Sequence, residues 1–149
     1  MHAMSPSASA GRYACLFLLL AAALLSPSAR ADGPPACPDA GFDQFLARFA
    51  RDAAVQRRSS ADPLLHGHID VNAEPEPVPV QEPRALDSLQ WPLFPDPAGF
   101  GQTRSMHVSD AGDGRMHVMV RREGSSDQQL YTFRRQPCWT LVELFDESI

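Results

Sequence analysis

The stretch from Met116 to Phe145 is the feature of this sequence that most constrains the fold. It contains three runs in which apolar and polar residues alternate, and turn-forming residues separate these runs. Alternation with period two places successive side chains on opposite faces of a strand. One face should therefore be apolar and the other mainly polar, with Met116, Val118 and Val120 opposed to His117, Met119 and Arg121. This stretch predicts the centre of an antiparallel sheet.

A fourth strand precedes this stretch, at Thr103–Ser109. The segment Asp110-Ala-Gly-Asp-Gly114 that follows it is rich in residues that tolerate a positive φ, which favours a hairpin turn. The sequence therefore predicts a four-stranded antiparallel meander: Thr103–Ser109, Met116–Arg122, Gln129–Arg135 and Cys138–Phe145. One more short strand is predicted at Leu64–Val71.

An amphipathic helix is predicted from Asp39 to about Gln56. Its apolar residues recur at helical spacing: Phe42, Phe45, Leu46, Phe49, Ala53 and Val55. Asp39 is a suitable N-cap for the first turn. Three phenylalanines on one stripe indicate packing against a sheet rather than a cofactor site.

The first 31 residues predict a secretory signal peptide that is cleaved after Ala31. Arg12 precedes the apolar run Leu16–Leu25, and Ala29-Arg30-Ala31 forms a small-residue cleavage site. The run is shorter than the roughly 20 apolar residues that a bilayer requires; the alternative is an uncleaved membrane anchor. The prediction places the protein in the periplasm or outside the cell. Residues 32–149 would then form a single small domain with no membrane span.

The cysteines predict a single disulfide. Cys15 leaves with the signal peptide, and Cys37 and Cys138 remain, one near each end of the exported chain. Exported proteins with two cysteines commonly pair them. A reactive or metal-binding thiol pair is the alternative, although the sequence has no C-x-x-C motif.

Charge limits the possible partners. All 18 acidic residues and 11 of the 13 basic residues lie in residues 32–149, a formal net charge of −7, which argues against nucleic-acid binding. The Pro/Glu-rich segment 74–83 predicts a loop. Its Glu74, Glu76 and Glu82 form either a solvated surface or a docking surface for a basic partner. Arg121 and Arg134 are candidates for binding an acidic partner, with ordinary salt bridges as the alternative.

Histidines are the candidate metal ligands. His66 and His68 have strand-compatible spacing, and His107 and His117 would lie opposite each other in a hairpin centred on Gly112. Zinc or copper is the metal considered, and polar surface histidines are the alternative. The sequence has no G-x-S-x-G motif and no glycine-rich phosphate loop before a helix, so no catalytic residue and no cofactor is predicted.

Several motifs resemble those of a group of uncharacterised exported bacterial domains. These are Cys37–Arg57 (C-x4-F-D-x-F-L-x-R-F-A-x-D-x-x-V-Q-R), Asp62-Pro63-Leu64, Tyr131-Thr-Phe and Cys138-Trp139. Such domains resemble the nuclear-transport-factor-like, cystatin-like cone fold, in which a curved antiparallel sheet wraps a helix. The resemblance implies an α+β protein with the N-terminal amphipathic helix packed on a curved antiparallel sheet of about four or more strands.

The leading functional interpretation is a non-catalytic periplasmic or secreted binding domain for an unknown protein or small-molecule ligand. The same fold also hosts cavity enzymes, so a small isomerase or dehydratase is the first alternative. The second alternative is an envelope protein that neutralises a partner through the acidic loop.

Overall fold

The amphipathic segment forms two consecutive helices. A computed structural model describes residues 36–149 and places α1 at Phe42–Arg51 and α2 at Ala53–Arg58. The expected continuous helix is interrupted at Asp52, where the backbone is extended with φ −136°. The Asp52 carboxylate accepts hydrogen bonds from two amides of the following turn, at 2.8 and 3.2 Å. Asp52 therefore ends α1 and caps α2.

Asp39 is not the N-cap that the sequence predicts. α1 begins directly after Gly41, which offers no capping side chain. Asp39 instead accepts a hydrogen bond from Nε of Arg48 at 3.3 Å and forms an ion pair with the same guanidinium group. The pair ties the lead-in of the helix to its second turn.

Six strands form one sheet, in the order β2-β1-β6-β5-β4-β3. Their bounds are β1 Ser60–Asp70, β2 Val78–Arg84, β3 Arg104–Gly112, β4 Arg115–Arg122, β5 Gln128–Arg135 and β6 Trp139–Asp146. The four strands of the predicted meander are confirmed within a few residues. Short 3-10 turns at Leu86–Ser88 and Pro97–Gly99 lie in the connection between β2 and β3. The protein is α+β, as expected.

Two features of the sheet differ from the prediction. β1 and β6 pair in parallel, while every other pair is antiparallel. The predicted loop at 74–83 is also shorter, because Val78–Arg84 pairs with β1 as an edge strand. Pro79 and Pro83 lack an amide hydrogen, which suits a strand that has a neighbour on one side only.

Aromatic side chains fill the space between α1 and the sheet. Phe133 of β5 makes edge-on contacts with Phe42, Phe45 and Phe49 of α1, with ring centroids 5.1–5.7 Å apart. Phe94, from the connection before β3, packs against Phe49 at 5.9 Å. Phe49, Phe94 and Phe133 have no exposed surface. The centre of the cone is therefore solid.

The buried Gln56 side chain fixes Phe94 in place. Its Nε2 donates to the Phe94 carbonyl at 2.9 Å, and its Oε1 accepts from the amides of Leu93 and Phe94 at 2.8 and 3.0 Å. This side chain has no exposed surface. Backbone groups with no strand partner are thereby satisfied inside the protein, so the connection can enter the core.

The structure contains the predicted disulfide between Cys37 and Cys138, with the Cα atoms 5.3 Å apart. It joins the lead-in of α1 to the start of β6. The predicted signal peptide lies outside the described residues. Among residues 36–149, none of the helices has the length and hydropathy needed to cross a membrane.

Candidate functional site

The four candidate histidines lie on opposite faces of the sheet. The inner face carries Val118, Tyr131 and Phe133 and packs on α1, and the outer face points away from it. His66 and His68 lie in register with Leu144 and Asp146 of β6 and so share the inner face. His107 and His117 lie on the outer face. The two pairs therefore cannot share one metal ion.

The predicted opposition of His107 and His117 is wrong by one step of the register. His107 lies opposite Met119, and His117 lies opposite Ser109. The reason is the turn, which is centred on Asp113 rather than Gly112. Gly112, Asp113 and Gly114 all have positive φ. The histidines are consequently diagonal neighbours on one face. Within residues 36–149, no three histidine, cysteine, aspartate or glutamate side chains are grouped closely enough to hold a metal ion.

One row of residues crosses the outer face through all six strands. In register order it is His107, Met119, Leu130, Phe145, Gly67 and Gln81. The Phe145 ring lies over Gly67, where a Cβ atom would overlap it. The glycine between His66 and His68 therefore exists to accommodate an aromatic ring of the neighbouring strand.

The middle of this row belongs to an apolar groove of about 730 Å³, which we call the outer strip. Its apolar members are Ile69, Pro77, Pro79, Leu130, Phe145 and Ile149. Gln81 donates a hydrogen bond to Glu143 across the strip. Ile149 is 78% exposed. An apolar surface of this kind, bordered by polar residues, is typical of a site that contacts another molecule.

A second site, which we call the polar cleft, opens on the inner face beside Phe94. It has a volume of about 350 Å³. Its polar side chains come from four strands: His66, Arg104, Gln129, Tyr131 and Asp146. Pro92, Leu93, Pro95 and Leu144 form its apolar walls. The cleft therefore brings a histidine, a tyrosine and a carboxylate together, which the sequence does not predict.

Hydrogen bonds fix most of the polar side chains in this cleft. The Tyr131 hydroxyl donates to the Leu93 carbonyl at 3.0 Å. Nε2 of Gln129 donates to Asp127 at 2.9 Å and to Asp146 at 3.4 Å. Arg104 donates to Asp127 at 2.8 Å. These contacts leave a rigid, mostly satisfied network at the floor of the cleft.

Burial and nearby charges change the protonation of this network. Burial lowers the pKa of His66 below its ordinary value, and the positive charge of Arg84 lowers it further. Burial also raises the pKa of Tyr131. Hydrogen bonds from Gln129 and then Arg104 lower the pKa of Asp127. The cleft therefore favours a neutral histidine and a neutral tyrosine beside an ionised carboxylate.

The acidic residues considered for docking do not form one surface. Glu74 and Glu76 are exposed in the connection between β1 and β2. Glu82 lies in β2 opposite His66 and forms an ion pair with Arg84 at 2.7 Å. The hydrogen bond from Arg84 lowers the pKa of Glu82.

The two candidate arginines are also separated. Arg121 and Arg134 both lie on the outer face, but Arg121 is in register with Gln128 at one end of β5 and Arg134 with Arg115 at the other. Arg121 pairs with Glu123 at 3.4 Å. The structure does not bring these arginines together into one anion site.

Polar residues at inward positions were the signal that sequence reasoning missed. Gln129, Tyr131 and Phe133 alternate along β5, so a side chain with hydrogen-bonding capacity precedes two buried aromatic residues. Asp146 occupies the corresponding place in β6, in register with Gln129. Polar groups that continue a buried stripe indicate a place where the core meets a cleft.

The fold matches that of a solved structure. An NTF2-like protein from Bacteroides fragilis NCTC 9343 aligns with a TM-score of 0.57 and 20% sequence identity. The alignment covers 77% of this chain and 50% of that protein, so the chain spans half of its length. The sequence matches no family model and no curated protein. This chain has the NTF2-like fold, and an identity this low shows the fold alone.

Proposed function

We propose that this protein is an exported, non-catalytic binding domain that holds a protein partner on the outer strip. The observation that carries the proposal is the distribution of apolar groups. The interior of the cone is filled by Phe49, Phe94 and Phe133, whereas Leu130 and Phe145 border an open groove on the opposite face. A shallow apolar groove suits a protein surface, since small-molecule sites enclose most of their ligand.

Added charge on the strip should abolish partner binding. Leu130→Glu with Ile69→Glu would place two carboxylates in the groove, and a partner that buries it would lose its apolar contact. The measurement compares proteins captured from envelope extract by the wild type and by this variant. Light scattering on the purified protein first establishes whether a second copy occupies the strip.

Two control variants make this comparison specific. Met106→Glu adds a carboxylate at an exposed apolar residue of β3 outside the strip, and its partners should match those of the wild type. Replacing Glu74, Glu76 and Glu82 by glutamine tests docking through the acidic residues. A partner retained by the strip variant and lost with the glutamines would overturn the outer strip in favour of the acidic surface.

The polar cleft supports a second candidate function, a small cavity enzyme of the isomerase or dehydratase type. His66 and Asp146 line one cleft with Tyr131, and a neutral imidazole beside a carboxylate suits proton transfer. The test is turnover of a panel of small carbonyl and hydroxy compounds. Turnover lost in His66→Ala and Asp146→Asn but retained in His68→Ala would establish the enzyme and contradict the non-catalytic proposal.

A further inference from the structure

The string Met-His-Val occurs twice, in two strands that pair with each other. The copies are Met106-His107-Val108 in β3 and Met116-His117-Val118 in β4, and Met119 follows the second copy. The register places His107 directly opposite Met119. Alternation along β4 places His117 on the same outer face, two residues from Met119. Two imidazoles and one thioether therefore share a small area of the sheet.

The three side chains also border one groove. It has a volume of about 610 Å³, and His107, His117 and Met119 all contribute to its lining. His107 is exposed, while His117 and Met119 are half-buried. Residues directly opposite on antiparallel strands have Cβ atoms about 4.5–5.5 Å apart, and diagonal neighbours are about 7–8 Å apart. Flexible side chains at these separations can reach a common ion.

The hairpin that carries these residues is locally fixed. Its turn has positive φ at Gly112, Asp113 and Gly114, and the Asp110 carboxylate accepts a hydrogen bond from the Gly112 amide at 2.7 Å. Val118 of the same hairpin is fully buried on the inner face. The register of the two strands, and therefore the grouping of the three donors, is set by the fold before any ion binds.

The donor set selects the metal. Two imidazole nitrogens and a thioether sulfur are soft or borderline ligands, and thioethers favour copper(I) over hard cations. The carboxylate that lines the same groove, Glu123, already pairs with Arg121 at 3.4 Å and accepts from Ser105 at 2.8 Å. An oxygen donor that would improve the site for zinc, magnesium or calcium is therefore engaged elsewhere.

We propose that His107, His117 and Met119 form a copper(I) site on the outer face of the sheet. Leu130 lines both this groove and the outer strip, so a bound ion lies beside the strip without occupying it. The proposal stands independently of the partner-binding function, because the copper site uses β3 and β4 and requires no second protein.

Competition with the copper(I) indicator bicinchoninate tests the site. The full chain is produced with its disulfide formed and titrated anaerobically with copper(I) in ascorbate. We expect one ion per protein, with zinc(II) bound at least about tenfold more weakly. Loss of an outer-shell partner typically weakens metal binding 10–100-fold. His117→Ala and Met119→Leu each remove a ligand and should weaken copper(I) binding by at least about tenfold.

Matched variants on the inner face provide the controls. Met116→Leu removes a thioether from the same strand on the opposite face, and His66→Ala removes a histidine from the polar cleft. Both should bind copper(I) as the wild type does. The proposal is overturned if all four variants bind alike, or if zinc(II) binds as tightly as copper(I).

X-ray absorption gives a readout that is independent of affinity. The copper(I)-loaded wild type should show nitrogen ligands and one sulfur scatterer, and the sulfur contribution should disappear in Met119→Leu. Sulfur that persists in Met119→Leu and disappears in Met116→Leu would assign the ion to another site. Circular dichroism of each variant verifies that the fold is retained.

Discussion

Gln56 shows how one side chain can decide the shape of the interior. Its amide group satisfies two backbone amides and one carbonyl of the connection before β3. This connection carries Phe94 into the core and Leu93 onto the Tyr131 hydroxyl. Without the amide group these polar atoms would be buried unpaired, which is more costly than the loss of an exposed hydrogen bond. The aromatic filling of the cone and one wall of the polar cleft both depend on this residue.

Gln56→Leu is therefore expected to lower the free energy of unfolding by about 3 kcal/mol, because it leaves buried backbone groups unsatisfied while keeping a similar volume. Unfolding in urea, followed by circular dichroism, measures the change. Gln44→Leu is the matched control, since Gln44 is exposed on α1. An effect below about 0.5 kcal/mol, as for a typical surface substitution, would show that the clamp contributes little.

His66 should make stability depend on pH. Burial and Arg84 lower its pKa in the folded protein below the ordinary 6.5, so the unfolded chain takes up this proton first as the pH falls. The free energy of unfolding should therefore decrease between about pH 7 and pH 5, and this part of the decrease should be absent in His66→Gln. Urea unfolding of both proteins at the two pH values measures it, and identical pH dependence would rule the effect out.

Elements were predictable from sequence where the signal is local. Alternation through Val118 and Val120 locates β4, and the glycine-rich turn at 110–114 locates the hairpin. The break between α1 and α2 was missed because Asp52 can either continue a helix or cap the next one. β2 was assigned to a loop because its prolines exclude only a central position in a sheet.

Long-range pairing explains the remaining gap in the prediction of the site. β1 and β6 are adjacent in the sheet but about 80 residues apart in sequence. His66 and Asp146 therefore meet in the polar cleft through a strand order that no local pattern specifies. The cysteines were the exception, since they connect distant segments and can be recognised directly in the sequence.

The contact between β1 and β6 can be tested through Gly67. A Cβ atom at this position overlaps the Phe145 ring and also approaches Gln81. Gly67→Ala should lower the free energy of unfolding by about 1–3 kcal/mol, as expected for overpacking. Much of this loss should disappear when Phe145→Ala is also present, which a double-mutant cycle measures.

Gly99→Ala is the control for glycine replacement, since a Cβ atom there meets no atom within 4 Å. If Gly67→Ala is as harmless as Gly99→Ala, the Phe145 ring moves aside easily and the outer strip is less rigid than its packing suggests.

At the scale of the whole molecule, the fold combines a filled interior with two accessible surfaces. Cavity enzymes and binding domains share such cones, and side chains decide between the two uses. Here aromatic rings occupy the centre, and the apolar groove lies on the other side of the sheet. The arrangement supports outward recognition, with the polar cleft as the part of the interior that reaches solvent.

The disulfide should contribute strongly to the stability of this molecule. It closes a loop of 101 residues, for which the chain-entropy model gives about 4–5 kcal/mol and measured values for native disulfides are about 2–5 kcal/mol. Replacing Cys37 and Cys138 by alanine should lower the urea midpoint by a corresponding amount. The intact mass before and after alkylation counts free thiols, and two free thiols without reductant would contradict the pairing.

The same crosslink has a consequence for survival among proteases. Glu74 and Glu76 lie in an exposed connection, where the chain is open to cleavage. A cut there separates the polypeptide into two fragments, one containing Cys37 and the other Cys138, and the sulfur bridge keeps them joined. A nicked molecule would therefore remain one particle and could keep both of its surfaces in use.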